Sequence, residues 1–546
     1  MDNYQRNFYI LLFLGCISYL PFLRGVHLFD WDEINFAEIS REMIVLQDYL
    51  RVYINFEPFW EKPPLFCWFQ VISMKLFGIN EYAARLPNAV AGILTLLTLH
   101  KFGTYYKNPK FGMIWALVYW GSILPFLYFK SGIIDPWFNF FTFSALFYYY
   151  KFLREKAEDK ANNEWLWSSG LLLGLAVFTK GPVAFLMYGL TLLVFYMIRK
   201  FKQFPSIGQL FILLLSSLFF GGLWLGLETL QNGPWFITTF TEYQLRLLTT
   251  NDAGHQGFLG YHFVVLLLGC FPASLFAFLP IWKKYRMGAD SKDSLFLMLT
   301  ILLAVVVIVF SLVNTKIVHY SSLAYFPISF LATVGAYAYL EDKNKMPPIV
   351  FSSIIGLGII FTVITAALPY VGMNIDMLNG LLAKDPFAMA SLAANVEWSW
   401  WNGLPALIMM ITLGIFASFL KHDSSWSLGA LIVGTVLFVN SILFLNLNNI
   451  EAYTQRALIE FCKAHADENA YIKFIGTKSY APLFYGKKDK DEDPRSNDNQ
   501  WLLESLELDR DAYFIVKIHH ALDLNKYREV EELYRKNGFI FYKRAR

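Results

Sequence analysis

Charge is scarce in this chain, and what there is nearly cancels: charged residues make up 16% of the 546 and the formal net charge is +3. No basic tract interleaved with aromatics is present, so the electrostatic footprint of a nucleic-acid partner is missing. Cysteine is equally sparse. Cys16, Cys67, Cys270 and Cys462 form no CxxC pair and no metal-ligand spacing, and they say little about redox compartment. No Gly-rich phosphate-binding loop and no inverted internal repeat of the transporter kind occurs. The apolar run from Phe8 to Leu23 is followed by no small-residue cleavage site, and it reads as a retained first span rather than a signal peptide.

What is abundant is apolar surface: 56% of residues are hydrophobic and 18% aromatic. Apolar runs near the ~20 residues that cross a bilayer recur along most of the chain. They fall near 8–29, 88–105, 111–129, 136–153, 165–179, 182–199, 208–229, 259–281, 294–313, 318–340, 349–371, 401–420 and 427–446. The expectation is an α-helical polytopic membrane protein of about thirteen spans. Arg6, Lys101, Lys107, Lys110, Lys151, Arg154, Arg199, Lys200, Lys283, Lys284, Arg286, Lys343, Lys345 and Lys421 fall in alternate loops. By the positive-inside rule those loops, and the N-terminus, are cytoplasmic. The other loops face outward: a long one near 30–87, short polar junctions at 130–135, 180–182 and 314–319, and longer segments at 230–258 and 372–400. Residues 1–447 thus read as a transmembrane domain with interfacial helices at about 30–87. Residues 448–546 read as a small extracytoplasmic α/β domain, with β-like runs at Tyr471–Ile475, Tyr513–Ile518 and Phe539–Tyr542 and helical stretches at Ala452–His465 and Lys526–Lys536.

Almost every unusual polar residue lies on the outward side. Phe29-Asp30-Trp31-Asp32-Glu33 opens an amphipathic helical pattern, where the two acids either cap a helix N-terminus or serve chemistry. Glu57-Pro58-Phe59-Trp60-Glu61-Lys62-Pro63-Pro64 holds Glu61 and Lys62 on a stiff loop, and Lys62 either meets a phosphate or snorkels to lipid headgroups. Lys130 and Asp135, Lys180, and Lys316 with His319 place ionisable groups at three further junctions, a costly arrangement that points to a polar cavity. Glu242-Tyr243-Gln244-Leu245-Arg246 brings an Arg suited to clamping phosphate oxygens, and His255 follows as a metal ligand, proton shuttle or hydrogen-bonding residue.

Several of these motifs occur in a known order: Trp31-Asp32-Glu33 with Phe36-Ala37-Glu38, Glu61-Lys62-Pro63-Pro64-Leu65, Ala84-Arg85-Leu86-Pro87, Asp135, Thr179-Lys180-Gly181-Pro182, and Lys316 with Tyr320 and Pro327. The chain resembles the lipid-phosphate-sugar-dependent GT-C glycosyltransferases typified by the 4-amino-4-deoxy-L-arabinose transferases that modify lipid A, relatives of the protein O-mannosyltransferases. The resemblance spans roughly residues 8–340, and beyond it only the layout agrees. It implies a GT-C fold in the plasma (bacterial inner) membrane. A polyprenyl-phosphate sugar is the implied donor, with lipid A, another glycan or glycolipid, or a protein hydroxyl as acceptor. It implies Asp32 as the base that activates the acceptor, with Glu33 and Asp135 assisting. Lys62, Arg246, Lys316 and Arg85 are the implied donor-phosphate binders. A divalent metal on Glu61 and His255 is the family's further option, although Tyr243 stands here where a histidine beside Arg246 is expected. No nucleotide cofactor is expected. A transporter or flippase of lipid-linked sugars is the rival reading, and a two-carboxylate hydrolase a weaker third.

Overall fold

The computed structural model describes residues 2–160, 162–249, 257–286, 293–341, 345–420, 423–520, 524–527 and 529–546. It is mostly helical, and a helix lies at each of the thirteen places where a span is expected. Among the described residues, seven helices are long and apolar enough to cross a membrane: Glu81–Tyr106, Ile207–Asn232, Ser294–Leu312, Val318–Glu341, Pro348–Met373, Trp400–Phe419 and Ser424–Leu445. Tyr261–Gly269 and Ala273–Ile281, bent by 106°, make an eighth if taken as one broken span. The other five positions hold helices that are shorter, such as Asn3–Tyr19, or charged at both ends, such as Asp135–Ala157.

Local sequence sets these helix ends. Asn108 caps Pro109–Trp120 by accepting from Phe111 N, with Pro109 in the first turn, where its missing N–H costs nothing. Ser206 and Gln209 form a capping box at the start of Ile207–Asn232, and Asp293 accepts from Leu295 N and Phe296 N at the start of Ser294–Leu312. Between helices the packing is set by small residues and rings. A Cβ added at Gly170 would lie 2.7 Å from Leu213 O, and one at Gly174 would lie 2.5 Å from Ser217 O. The two glycines, four residues apart, therefore let Glu164–Lys180 approach Ile207–Asn232 backbone to backbone. Phe102 stacks on Phe147 at 3.8 Å, and Phe143 on Phe326 at 4.3 Å. Phe326 belongs to Val318–Glu341, 94% buried across its apolar window and so the innermost of the spans. Ile207–Asn232 is the opposite case, only 17% buried, and its exposed Leu210, Phe211, Leu214, Leu218 and Phe219 make an apolar surface suited to lipid.

From Arg456 onward the chain forms the helix Arg456–Ala464 and a four-stranded sheet. Ala470–Ile475 runs parallel to Asp511–Lys517, which pairs antiparallel with Phe539–Arg544, which pairs antiparallel with Val530–Lys536. Strand alternation divides the side chains between two faces. Tyr513, Ile515, Phe539 and Phe541 join a cluster with Leu28, Ile34 and Ala37, while Phe514, Val516, Ile540 and Tyr542 pack with Leu502 and Leu503. One face thus rests on Asp32–Leu46, the helix that begins with the expected catalytic acids.

The sequence reading of Lys526–Lys536 as helix is corrected here: Val530–Lys536 is a strand. Asn537 and Gly538, at φ 49° and 83°, make a two-residue turn between Lys536 and its partner Phe539. Asn-Gly with positive φ at both positions matches the twist of a hairpin, and sheet pairing then overrides the helical propensity of the preceding residues.

Candidate functional site

The helix Asp32–Leu46 is locked at its start. Glu33 is buried and accepts from Arg85 Nε at 3.0 Å and Nη2 at 2.7 Å, and also from Phe29 N at 2.9 Å and Gly132 N at 2.5 Å. Burial pushes the Glu33 carboxyl up, but the Arg85 guanidinium and the two N–H groups outweigh it and hold the carboxyl below its usual range. Arg85 donates its remaining hydrogens to Leu23 O, Val26 O and His27 O, at 2.8–2.9 Å. All five guanidinium N–H donors are therefore engaged. Arg85, expected to hold donor phosphate, instead clamps the exit of the first helix to the acid, and Glu33 is the clamp's counterpart rather than a group turned to substrate. Asn88 extends the clamp by donating to Ser131 O at 2.7 Å and Ile133 O at 2.6 Å, which seats the junction leading to Asp135.

Asp32 is left pointing out, with its side chain 45% exposed, and its Oδ2 lies 3.5 Å from His319 Nε2. His319 sits in the 3₁₀ turn Val318–Ala324 at the head of the innermost span. On the same side Asp135, buried at the first turn of Asp135–Ala157, meets Lys180 Nζ at 2.6 Å, and Ser322 Oγ donates to it at 3.5 Å. Lys180 is the last residue of Glu164–Lys180, where a cation complements the helix dipole, and Gly181 turns the chain away at φ 95°.

Lys62 closes the cluster from the loop. Its Nζ donates to Glu61 O at 3.2 Å and lies 5.5 Å from the Tyr243 ring centre. Burial is the main cause that pulls the Lys62 ammonium below the usual lysine range, and Lys180 adds to it, while Glu61, Asp32 and Asp135 oppose it. The Tyr243 hydroxyl donates to Glu61 Oε2 at 3.3 Å, and the Arg246 guanidinium lies 5.6 Å from the same ring. Arg51 pairs at 3.2 Å with Glu228 of the preceding helix, which also accepts from Trp235 Nε1 at 3.1 Å, and the guanidinium lies 4.9 Å from the Trp235 ring at the start of Trp235–Thr249.

Asp32, Lys62, Asp135 and Arg246 are therefore brought to one region, joined by Lys180, His319 and Tyr243. The sequence singled out Lys180 and His319 as junction residues without giving them a role; their cost at a membrane boundary was the available signal. Lys316 is a further correction. It is buried and donates to Phe310 O at 3.1 Å, Ser311 O at 2.7 Å and Val313 O. Its three ammonium hydrogens satisfy the carbonyls that the helix Ser294–Leu312 leaves open at its C-terminus, so it is a cap and not a phosphate binder. His255 lies outside the described residues. Among those described, no group of three His, Cys, Asp or Glu is placed to hold a metal ion, and Glu61 faces a phenol where the expected metal set needs an imidazole.

A family model for dolichyl-phosphate-mannose-protein mannosyltransferases matches residues 61–220. The undecaprenyl phosphate-α-4-amino-4-deoxy-L-arabinose arabinosyl transferase of Pectobacterium atrosepticum is 23% identical over 427 residues, covering 74% of this chain and 75% of its own. Its counterpart in Serratia proteamaculans is 25% identical over 423 residues, 74% of each chain. The crystal structure of ArnT from Cupriavidus metallidurans bound to undecaprenyl phosphate superposes with a TM-score of 0.76 at 17% identity, covering 98% of this chain and 97% of that one. The chain has the fold of that ArnT structure over nearly its whole length.

Proposed function

We propose that this protein is a multi-pass membrane glycosyltransferase that moves a sugar from a polyprenyl-phosphate donor to a glycan or lipid acceptor. The observation that carries the reading is a half-exposed acid, Asp32, and the half-buried ammonium of Lys62 in one cluster, near enough for the acid to act on the ammonium. The family resemblance and the shared fold support it. In the reaction, Asp32 takes the proton of an acceptor hydroxyl or phosphate oxygen as that oxygen attacks the anomeric carbon. The bond from that carbon to the phosphate oxygen breaks, and polyprenyl phosphate leaves with its charge stabilised by Lys62 and Arg246. Lys180 and Asp135 hold each other as a pair that shapes the field at Lys62. No step is routed through a metal.

A single displacement inverts the anomeric centre. On this proposal the basic loops lie in the cytoplasm, and thirteen spans carry the site and the C-terminal sheet to the extracytoplasmic face. The test is purified protein in detergent with a polyprenyl-phosphate sugar and candidate acceptors. Transfer with inversion, lost in Asp32→Asn, supports the reading. Lipid translocation in vesicles without glycosyl transfer overturns it, and a product with retained configuration overturns the single displacement.

A further inference from the structure

Three charged groups from two elements converge on one phenol. The Tyr243 hydroxyl donates to Glu61 Oε2 at 3.3 Å, Lys62 Nζ lies 5.5 Å from the centre of the ring, and the Arg246 guanidinium lies 5.6 Å from the same centre. Glu61 and Lys62 belong to the loop, while Tyr243 and Arg246, three residues apart, share one side of the helix Trp235–Thr249. A tyrosine face attracts cations at such distances. The ring therefore lies against both cations assigned to the donor phosphate and, through its hydroxyl, holds the loop that carries one of them.

The family resemblance expects a divalent metal at this spot, with Glu61 as the ligand of the expected pair that the structure describes. The described part of the donor set does not fit one. A divalent ion takes anionic oxygen or neutral imidazole, whereas the Glu61 carboxylate is engaged by a phenol O–H. The phenol is also held neutral. Burial and then the Glu61 carboxylate push its pKa well above the ordinary tyrosine range, with Arg246 opposing, which works against the phenolate a metal would bind. Lys62 and Arg246 bring two positive charges to the same ring and oppose a third cation between them. We propose that Tyr243 is a positioning residue that stands in for the metal: its hydroxyl ties the Glu61–Lys62 loop to the helix of Arg246, its ring spaces the ammonium and the guanidinium, and the lipid phosphate binds those two cations without a divalent ion. This inference rests on the polyprenyl-phosphate donor proposed above and assigns what holds its phosphate site together.

The test titrates undecaprenyl phosphate into the full-length protein in detergent, before and after treatment with EDTA, and measures metal content by elemental analysis. Wild type is expected to bind the lipid phosphate equally in both states. Tyr243→Phe, which keeps the ring and loses the hydroxyl, weakens binding about tenfold and raises the donor KM to match, while the acceptor KM and the melting temperature hold. Glu61→Gln keeps an oxygen that accepts from the phenol but makes a poor metal ligand, so it loses at most about threefold and leaves the metal content as in wild type. A site held by a metal reverses that order. Weaker binding after EDTA, a stoichiometric metal ion that Glu61→Gln releases, a loss in Glu61→Gln as large as in Tyr243→Phe, or no loss in Tyr243→Phe overturns the inference. If Tyr243→Phe folds poorly, the EDTA and Glu61→Gln arms decide. A wild type that binds no undecaprenyl phosphate sinks the proposed donor instead, and the metal contents of wild type and Glu61→Gln still decide whether an ion sits at Glu61.

Discussion

At the residue scale the roles divide by what each charge already touches. Asp32 has a close ionisable neighbour, His319, at 3.5 Å and an exposed face, so on the proposed mechanism its replacement removes function and spares the fold. Asp32→Asn is expected to lower kcat/KM by about 10²–10⁴-fold with little change in melting temperature, checked by product formation beside thermal unfolding. Lys62 makes a pH prediction whose sign follows from its environment. Burial lowers its affinity for the proton, so it loses charge at a lower pH than an ordinary lysine. Donor binding should therefore fall on the alkaline side at a pH below the free-lysine range, and Lys62→Arg should move that limb upward in a profile of kcat/KM for the donor. Glu33 and Arg85 behave in the opposite way to Asp32. Breaking a buried, multiply bonded pair costs about 3–5 kcal/mol, so Glu33→Gln or Arg85→Ala should destabilise the protein strongly. The sequence placed Arg85 and Lys316 among the phosphate binders because it displays charge and position but not the carbonyl groups a charge will meet. Nothing in Ala84-Arg85-Leu86-Pro87 says that three carbonyls from residues 23–27 converge on that guanidinium.

At the element scale the legible part was apolar length, and each expected span has a helix because backbone groups in lipid can be satisfied within a helix. The ends were less legible where helices break, as at Tyr261–Gly269 and Ala273–Ile281, because an apolar run gives no sign of a 106° bend. Val530–Lys536 shows the complementary failure: its pattern favours helix locally, and the Asn537-Gly538 turn was the overlooked signal. Helix contact gives a prediction of its own. Gly174→Leu drives a side chain into the backbone of Ile207–Asn232, where even a Cβ lies 2.5 Å from Ser217 O. The expected outcome is a drop in melting temperature of several degrees in detergent, larger than for Gly189→Leu, whose Cβ meets nothing within 4 Å.

At the scale of the whole molecule, the C-terminal sheet and the loop that carries Lys62 are one assembly. The hairpin Tyr53–Ile54 and Glu57–Pro58 turns at Asn55 and Phe56, whose N–H groups bond Glu42 at 2.6 and 2.8 Å. From the other side Lys488 Nζ reaches Asn55 Oδ1 at 2.6 Å and Asn497 Oδ1 at 2.9 Å, and Asn497 Nδ2 reaches Glu57 Oε1 at 3.0 Å. Lys488→Ala should cost about 1.5–3 kcal/mol, the range for a hydrogen bond to a charged group, and should raise the donor KM through the loop. Thermal unfolding and donor titration check the two effects separately. None of this was legible in the sequence, since residues 55 and 488 lie far apart along the chain and neither stands in a motif.

The Arg85 clamp decides which parts of the site can give way. It joins the first helix's exit, the start of Asp32–Leu46 and, through Glu33, the Gly132 junction, so the acid Asp32 and the junction that leads to the Asp135–Lys180 pair are set by one network of hydrogen bonds. Any adjustment to a lipid-linked donor is then expected on the other side of the site, where the Glu61–Pro64 loop meets the helix Trp235–Thr249 through Tyr243, which bonds Glu61 and lies against Lys62.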